Sequence, residues 1–317
     1  MGSDQALEFP SIYRDFVKMF PDEISCAAYL ERLRCPNGFV CPACGEQHEP
    51  WRQTRGRLLC PACRPQCTVT AGTIFDKTRT PLTTWFDAVW HITTAKNGLS
   101  AKTLERMMGV RYHVAWHMLH RFRVAMVRTS REPLAGEVEV DEGGKRGRGA
   151  SKEIVVIALE IKHPKGFGRI RMRHVPDVSA ASLESFVRET IAPDSIVCTD
   201  GWKGYNGLSN GYKHQQIILS SSDDPAHVAM PGVHRIASLL KRWLLGTHQG
   251  AFSMEHLQSY LEEFTFRFNR RTSSSRGQLF RRLLEQAIST QPVTQADTLH
   301  GYHRKPAKIK KQTGGAK

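Results

Sequence analysis

Four cysteines in two closely spaced pairs are the feature that most constrains the fold of this chain. Cys41 and Cys44 form one Cys-Pro-x-Cys pair, Cys60 and Cys63 form a second, and fifteen residues separate the pairs. This spacing is typical of a structural zinc site, in which two turns supply four thiolates to one ion in a closed tetrahedron. A redox pair or a chance arrangement is the alternative interpretation. The closed ligand set predicts an ion that stabilises the fold and takes no part in catalysis.

The other cysteines and the amino terminus indicate the kind of protein that carries this site. Seven of the eight cysteines fall between Cys26 and Cys67, and the start MGSDQALEFP has neither a basic nor an apolar signal region. A cytoplasmic protein with a metal site is therefore expected, and not a disulfide framework. We interpret Cys35, Cys67 and His48, which lie outside the pairs, as small buried or surface residues. At 317 residues the chain is long enough for two or three domains.

The net charge predicts a polyanionic partner. The chain has 45 Lys+Arg against 30 Asp+Glu, a formal charge of +15, and a pI near 9.7. Nucleic acid is the common partner of such chains. An anionic membrane surface is the rival, but no long amphipathic helix with a basic face stands out, and no apolar run approaches the roughly 18 to 20 residues needed to cross a bilayer. The composition therefore favours nucleic acid and no membrane.

Helical periodicity runs from Pro81 to Met126. Within it, Ser100 is a good N-cap, and Gly109 sits where a tight turn is needed. Two apolar faces follow, made by Ala101, Leu104 and Met107 before the turn and by Val114, Met118 and Phe122 after it. This pattern predicts a helix-turn-helix whose second helix presents polar groups to phosphates or base edges: Arg111, Tyr112, His113, His117 and His120. An ordinary helical hairpin fits the same pattern equally well.

From residue 136 the pattern changes to period two and to residues that favour strands. Three strands are expected in GEVEVDEGG, EIVVIALEI and GRIRMRHV, followed by a helix near 180–191, a buried strand SIVCTD, a strand KHQQIILS and a long helical region from Val233. Three hairpin strands followed by a helical crossover is the element order of the ribonuclease H-like fold. The predicted class is α/β multidomain, in which a mixed sheet flanked by helices follows the zinc ribbon and the helix-turn-helix.

Two acids fall at strand ends that this fold places side by side. Asp141 ends the first predicted strand and Asp200 ends the fourth, and these strands are neighbours at the centre of such a sheet. Carboxylates placed together repel each other unless a cation lies between them, and their oxygens suit Mg2+ or Mn2+. Two such ions about 3.5 to 4 Å apart support in-line phosphoryl transfer. A turn or a helix cap is the ordinary role of either aspartate alone.

Several longer stretches together resemble a DDE-superfamily insertion-sequence transposase of the ISXO type, which carries a zinc ribbon before its catalytic domain. The resemblance covers nearly the whole chain and rests on these stretches: FPDEISCAAYLERLRCPNGFVCPACG, AGTIFDKTRTPLTTWF, VEVDE, VCTDGWKGY, SLLKRWLLGTH and YLEEFTFRFNRR. It implies that Asp141 and Asp200 are the first two catalytic acids. It also implies two Mg2+ or Mn2+ ions, hydrolysis at element ends, and attack of the freed 3′-hydroxyl on target DNA.

The third acid of that pattern is replaced in this chain. Counting seven residues back from Lys241 gives His234, where the resemblance expects glutamate. We predict an Asp-Asp-His site, since a neutral imidazole nitrogen can ligate a divalent metal, with Lys241 two turns further on contacting a phosphate. Glu142 should point to the opposite side of the strand. Two alternatives stay open: a ligand supplied by Asp223, Asp224 or Glu255, or a copy without catalytic activity.

The predicted protein is thus a metal-dependent DNA transposase, expected in the cytoplasm at the nucleoid and acting as a homo-oligomer on double-stranded DNA. A DNA-binding regulator without catalysis and a metal-dependent nuclease without strand transfer are the alternatives. The predicted boundaries are 1–75 for the amino-terminal helical segment and zinc ribbon, 76–131 for the helix-turn-helix, 132–290 for the catalytic domain and 291–317 for a basic, disordered tail.

Overall fold

The structure is a computed structural model that describes residues 8–53, 57–128, 130–144, 153–217, 230–250 and 252–299. Short helices and a small sheet make up the amino-terminal end, three helices follow, and a five-stranded sheet with further helices completes the chain. Nowhere in these ranges is a helix both long and apolar enough to cross a membrane.

The amino-terminal end is a zinc ribbon preceded by two helices. The elements are helix α1 (Tyr13–Met19), helix α2 (Glu23–Arg34) and strands β1 (Trp51–Gln53), β2 (Arg57–Leu59) and β3 (Gln66–Thr68). The strands pair antiparallel in the order β1-β2-β3. Asp22 caps α2 by accepting from the Ser25 N–H at 2.8 Å. The predicted zinc ribbon is confirmed.

Three helices follow: α3 (Leu82–Thr94), α4 (Ala101–Met108) and α5 (Tyr112–Ala125). As predicted, the Ser100 hydroxyl accepts from the Thr103 N–H at 3.1 Å, and Gly109 ends α4 with a φ of +64°, which glycine adopts without strain. Glu23 of α2 accepts from the N–H groups of Leu82 and Thr83 at 2.9 and 2.8 Å. It thereby caps α3, which has no side-chain cap of its own.

Two expectations for this region are wrong. Met107 is 43% exposed, whereas Leu104 on the same helix is fully buried, so the inward face of α4 is narrower than predicted. His120 lies inside the protein and not on an outer face, with its ring 3.9 Å from the Trp116 ring and 4.9 Å from the His256 ring. Burial lowers the pKa of His120, so this histidine is neutral and does not contact solvent or DNA.

The second half of the chain is a mixed five-stranded sheet. Its strands are β4 (Glu137–Gly144), β5 (Ile154–Ile161), β6 (Phe167–Val175), β7 (Ile196–Asp200) and β8 (Lys213–Ile217), in the order β6-β5-β4-β7-β8. The first three pair antiparallel, and β7 and β8 run parallel to β4. Helix α6 (Ala180–Thr190) connects β6 to β7. This order and connectivity confirm the predicted ribonuclease H-like fold.

Helices cover both faces of this sheet. On one face, Leu183, Phe186 and Val187 of α6 pack with Val138 and Val140 of β4. On the other face lie helix α7 (Pro231–His248) and helix α8 (Leu257–Phe268), which bury Ile236 and Leu261 against β5 and β6. Side chains alternate along β4, so its odd-numbered residues face α7 and its even-numbered ones face α6.

The last long helix, α9 (Arg276–Ser289), returns to the amino-terminal half, and a short helix, α10 (Gln295–Leu299), follows it. The Phe280 ring of α9 lies 5.6 Å from Phe16, 5.5 Å from Phe20 and 5.8 Å from Phe86. Residue 280 falls within the predicted catalytic range of 132–290, yet its side chain completes the core of the ribbon and the first helices.

A buried ion pair also joins the two halves. Arg123 of α5 donates from Nε to Glu263 of α8 at 2.9 Å, and both side chains are almost completely removed from solvent. The Arg123 guanidinium also lies 4.1 Å from the centre of the Tyr260 ring. From the sequence, Glu262 and Glu263 are expected to be structural or paired with Arg267 and Arg270. Both have a structural role, but their partners are Arg131 and Arg123.

Replacing Arg123 by Met should lower the free energy of unfolding by about 3 to 5 kcal/mol, because Glu263 is then left charged and buried without a partner. Denaturant unfolding of the full chain measures the loss. Arg188→Ala, which breaks the exposed pair with Glu184, should cost no more than about 1 kcal/mol. Equal losses in the two variants would show that the buried pair is not a distinct source of stability.

Candidate functional site

The parallel pairing of β4 with β7 brings two carboxylates together. Val140 is the register partner of Thr199, and Asp141 and Asp200 follow directly on the two adjacent strands. Asp200 accepts from the Trp202 N–H through Oδ1 at 3.1 Å, which holds the turn after β7. The sequence predicted that these aspartates end two neighbouring strands. The strands are neighbours and Asp200 ends β7, but β4 continues past Asp141 to Gly144, because residues 141–144 still pair with β5.

The pKa of the Asp141 carboxyl group is affected both by burial and by the charge of Asp200. Burial, and then the nearby Asp200, raise the pKa of Asp141 to about 6. Both effects disfavour the ionised form of the Asp141 carboxylate, and a bound cation would relieve both. The oxygen donors present therefore fit a hard divalent ion such as Mg2+ or Mn2+.

His234 lies beside these acids, in the first turn of α7. Its Nδ1 is 3.8 Å from Oδ2 of Asp141, and about one-third of its side chain is exposed. The distance is too long for a hydrogen bond but places the imidazole at the same opening as the carboxylate. The structure thus brings together three of the predicted site residues, which are Asp141, Asp200 and His234.

Glu139 is a further residue of this site, and the sequence alone does not single it out. It lies on the same face of β4 as Asp141, is almost fully buried, and accepts from the Val233 N–H at 2.8 Å. Its carboxylate thereby caps the start of α7, where Pro231 has no N–H to offer and the N-cap residue, Met230, makes no side-chain cap. Negative charge at a helix N-terminus is favourable. Glu139 consequently fixes the turn that carries His234.

The contact between Glu139 and α7 also requires a glycine. A Cβ atom at Gly232 would lie 2.6 Å from Oε2 of Glu139 and 2.6 Å from Cδ2 of Leu159. Two sequence signals pointed to this contact: the alternation in VEVDE, which puts Glu139 on the face of Asp141, and the Pro-Gly pair that opens α7. Neither signal gives the partner, which is 94 residues away.

The opposite face of β4 holds Glu142, as the alternation predicts. Its Oε2 accepts from the hydroxyl of the fully buried Tyr205 at 2.6 Å. Tyr205 is thus a packing residue. Trp202 is 46% exposed and donates its indole N–H to the Val178 carbonyl at 3.0 Å.

No contact links the other residues predicted for this site to Asp141, Asp200 or His234 within the described part of the chain. Lys241 is exposed on α7, two turns beyond His234, and Glu255 is exposed in a short 3-10 helix, Met254–His256. Asp223 and Asp224 lie outside the described residues. Across the described ranges, only the four cysteines bring three or more ligand atoms within 4.8 Å of one another.

Those cysteines form the second candidate centre. Sγ of Cys41 is 3.5 Å from Sγ of Cys63, and Sγ of Cys44 is 3.8 Å from Sγ of Cys60, distances far longer than a disulfide bond. Backbone N–H groups of Cys44 and Ala43 point at Cys41 and lower the pKa of its thiol to about 6. Four converging sulfurs with a stabilised thiolate fit a tetrahedral zinc ion.

Two protein families match the chain, one over the region of the carboxylates and the other over the region of the four cysteines. The chain matches a family model described as an ISXO2-like transposase domain over residues 131–269 and one described as a transposase zinc-ribbon domain over residues 21–66. It is 29% identical over 283 residues to an uncharacterized protein in transposable element ISH50 of Halobacterium salinarum, covering 79% of this chain and 92% of the relative.

Two further similarities are shorter. An uncharacterized transposase-like protein of Haemophilus influenzae is 30% identical over 115 residues, 36% of this chain and 92% of the relative. The crystal structure of the catalytic core domain of BIV integrase aligns with a TM-score of 0.31 at 15% identity, over 45% of this chain and 89% of that one.

Substituting Cys44 by Ser should abolish stoichiometric zinc binding and lower the melting temperature, because the ion contributes directly to the folding of such small modules. Elemental analysis of protein purified without chelators should give one zinc per wild-type chain. Cys67→Ser, which changes a cysteine outside the quartet, should keep the metal. A wild-type chain without zinc, or equal loss in both variants, would contradict the assignment.

Replacing Glu139 by Ala should lower the free energy of unfolding by about 1 to 3 kcal/mol, since buried N–H groups at the start of α7 lose their acceptor. Glu139→Gln keeps an acceptor oxygen and should lose less. The matched control is Glu137→Ala, which removes a carboxylate from the same strand whose partner is the exposed His163. Denaturant unfolding decides the matter, and an unchanged midpoint in Glu139→Ala would exclude the capping role.

Proposed function

Because the chain belongs to the family of ISXO2-like transposases, we propose that it binds the ends of an insertion sequence and catalyses metal-dependent strand cleavage and strand transfer. The observation that carries the proposal is the register of β4 and β7, which sets Asp141 beside Asp200 at one opening of the sheet. The raised pKa of Asp141 supports it, since the site favours a cation.

Asp141, Asp200 and His234 would hold the catalytic ions, with the carboxylates as oxygen ligands and His234 as a neutral nitrogen ligand. Two Mg2+ or Mn2+ ions supply activation of the attacking oxygen and stabilisation of the leaving one when bound. The position of His234 at the capped start of α7 supports its role.

The protein's own side chains have distinct tasks in this proposal. Glu139 holds the first turn of α7 against the sheet, so His234 keeps its position beside Asp141. Lys241, exposed two turns further along α7, contacts a phosphate of the DNA. Water attacks the phosphodiester at the element end, and the freed 3′-hydroxyl then attacks the target strand. Both steps are phosphoryl transfers at one site, so no covalent protein intermediate is required.

DNA binding falls to the amino-terminal half in this proposal. We assign α4 and α5 as a helix-turn-helix, in which Arg111, Tyr112 and His113 at the start of α5 are exposed and face outward. The zinc ribbon contributes a second contact, and the net charge of +15 supplies general attraction to the backbone. A homo-oligomer on double-stranded DNA, in the cytoplasm at the nucleoid, completes the proposal.

Asp141→Asn and Asp200→Asn should each reduce DNA cleavage by more than a thousandfold while leaving DNA affinity within about twofold, because they remove metal ligands and leave the basic surface intact. The assay uses candidate end DNA with Mg2+ and scores cleavage and joining separately. Glu189→Gln, an exposed carboxylate on α6, is the control.

The two products separate the competing functions. Cleavage without joining would support a nuclease, and DNA binding without either product in the wild-type chain would support a regulator. An Asp141→Asn variant that cleaves within tenfold of the wild type at saturating metal would remove Asp141 from the site.

The series His234→Ala, His234→Asn and His234→Glu tests the third ligand. Alanine should abolish cleavage, whereas Asn and Glu should retain part of it at high metal concentration, because each still offers a donor atom. Glutamate should also lower the metal concentration needed for half-maximal cleavage, since it adds a negative charge. An alanine variant as active as the wild type would mean that another residue completes the site.

A further inference from the structure

A second pocket, distinct from the acidic site, is lined by arginines. Its volume is about 170 Å³. A single water needs roughly 15 Å³, so the pocket has room for several waters or a small anion. It lies at the edge strand β6, between the segment that follows α5 and the helices α8 and α9. Six arginines line it: Arg128 and Arg131 after α5, Arg169 and Arg171 on β6, Arg270 just after the end of α8, and Arg282 on α9. We call it the arginine pocket.

The arginine pocket has more arginines than carboxylates to pair with them. Arg131 pairs with Glu262, and Arg169 pairs with Glu160 and Glu132. The other four arginines have no carboxylate within 4 Å among the residues that the structure describes. Arg171 donates to the carbonyls of Ile170 and Glu132 instead, at 3.0 and 2.8 Å. Carbonyl acceptors satisfy hydrogen bonds but do not neutralise the charge.

Two of these guanidinium groups are held in an unfavourable state. Burial and the neighbouring arginines lower the pKa of Arg171 and of Arg270 to about 10. Arg270 is stacked 4.0 Å from the centre of the Phe266 ring, and its buried Nε has no acceptor among the described residues. A buried donor left unpaired and a set of repelling cations both cost free energy. An anion in the arginine pocket would remove both costs.

We propose that the arginine pocket binds one phosphate group of the DNA backbone, an inference that rests on the proposed function. The planar guanidinium offers paired N–H groups that match the oxygens of a phosphate. Exposed Arg128 and Arg282 form an open rim through which a backbone can reach buried Arg171 and half-buried Arg270. A phosphodiester bound there would bring one negative charge to Arg171 and Arg270 and would reduce the excess of positive charge.

The position of the arginine pocket gives the contact a specific consequence. Arg128 and Arg131 belong to the segment that joins α5, the proposed recognition helix, to β4, which carries Asp141. Arg171 lies on β6, separated from β4 by β5 alone. A phosphate bound here would therefore contact both the DNA-binding half and the catalytic sheet. Such a contact would fix the register of the bound duplex relative to the carboxylates.

The test measures the salt dependence of DNA binding in the full chain carrying Asp141→Asn, which binds DNA without cutting it. Fluorescence anisotropy with a labelled duplex, from about 50 to 200 mM salt, gives the slope of log K against log salt. Loss of one phosphate contact should reduce that slope by about 1. We expect this reduction for Arg270→Gln and for the rim double variant Arg128→Gln, Arg282→Gln.

Controls separate a binding role from a folding role. Arg188→Gln removes an exposed positive charge from α6 and should leave the slope unchanged. Arg270→Lys keeps the charge but loses the paired N–H geometry, and should weaken binding less than Arg270→Gln. The melting temperature is recorded for each variant. If Arg270→Gln fails to fold, the rim double variant decides the result, because both of its positions are exposed.

Inorganic phosphate and DNA are compared to identify the source of the anion. Phosphate should raise the melting temperature of the parent chain and not that of Arg270→Gln. Stabilisation by phosphate with unchanged slopes would reveal a site for a free anion and overturn the DNA contact. Unchanged slopes without any phosphate effect would leave a purely structural arginine cluster and overturn it as well. A parent chain that binds no DNA would overturn the proposed function itself, a result distinct from the other two.

Discussion

The parallel pairing of β4 with β7 is the constraint on which the rest of the five-stranded sheet and its helices depend. Parallel neighbours cannot be joined by a tight turn, so the chain must first complete β5 and β6 and then cross over through α6. That crossover buries Leu183, Phe186 and Val187 on one face of the sheet. The register then leaves Asp141, inside β4, beside Asp200 at the end of β7, where they repel each other in a half-buried setting.

Helix α7 depends on the same pairing, because Glu139 can cap it only from the face of β4 that Asp141 shares. One buried carboxylate therefore stabilises the helix, and another, two residues later, lies open to the site. The difference lies in their partners. Glu139 accepts from backbone N–H groups at a helix N-terminus, whereas Asp141 has the charge of Asp200 beside it. Burial raises the pKa of both, but Glu139 accepts from two backbone N–H groups, those of Val233 and Gly232, whereas Asp141 accepts from the Glu142 N–H alone and has Asp200 beside it.

Local signals in the sequence predicted most of the fold and part of the site. The cysteine spacing, the Ser100 cap and the turn at Gly109 each depend on residues a few positions apart, so they can be recognised without tertiary information. The strand order followed from the succession of elements, and Asp141 and Asp200 followed from the strand order. What could not be predicted depends on distant partners: Glu139 with Val233, Glu263 with Arg123, and the burial of His120 beside His256.

Helix α9 shows why the sequence alone could not define the two halves. Its pattern is that of any amphipathic helix, and only the packing shows that Phe280 fills the core between Phe16, Phe20 and Phe86. Removing a buried phenylalanine side chain typically costs about 3 to 5 kcal/mol, so the ribbon half is stabilised by a segment that follows the catalytic sheet. The Arg123–Glu263 ion pair, which joins α5 to α8, also links the two halves. The amino-terminal half is thereby held at a fixed place relative to the carboxylates, since neither half can separate without exposing this core.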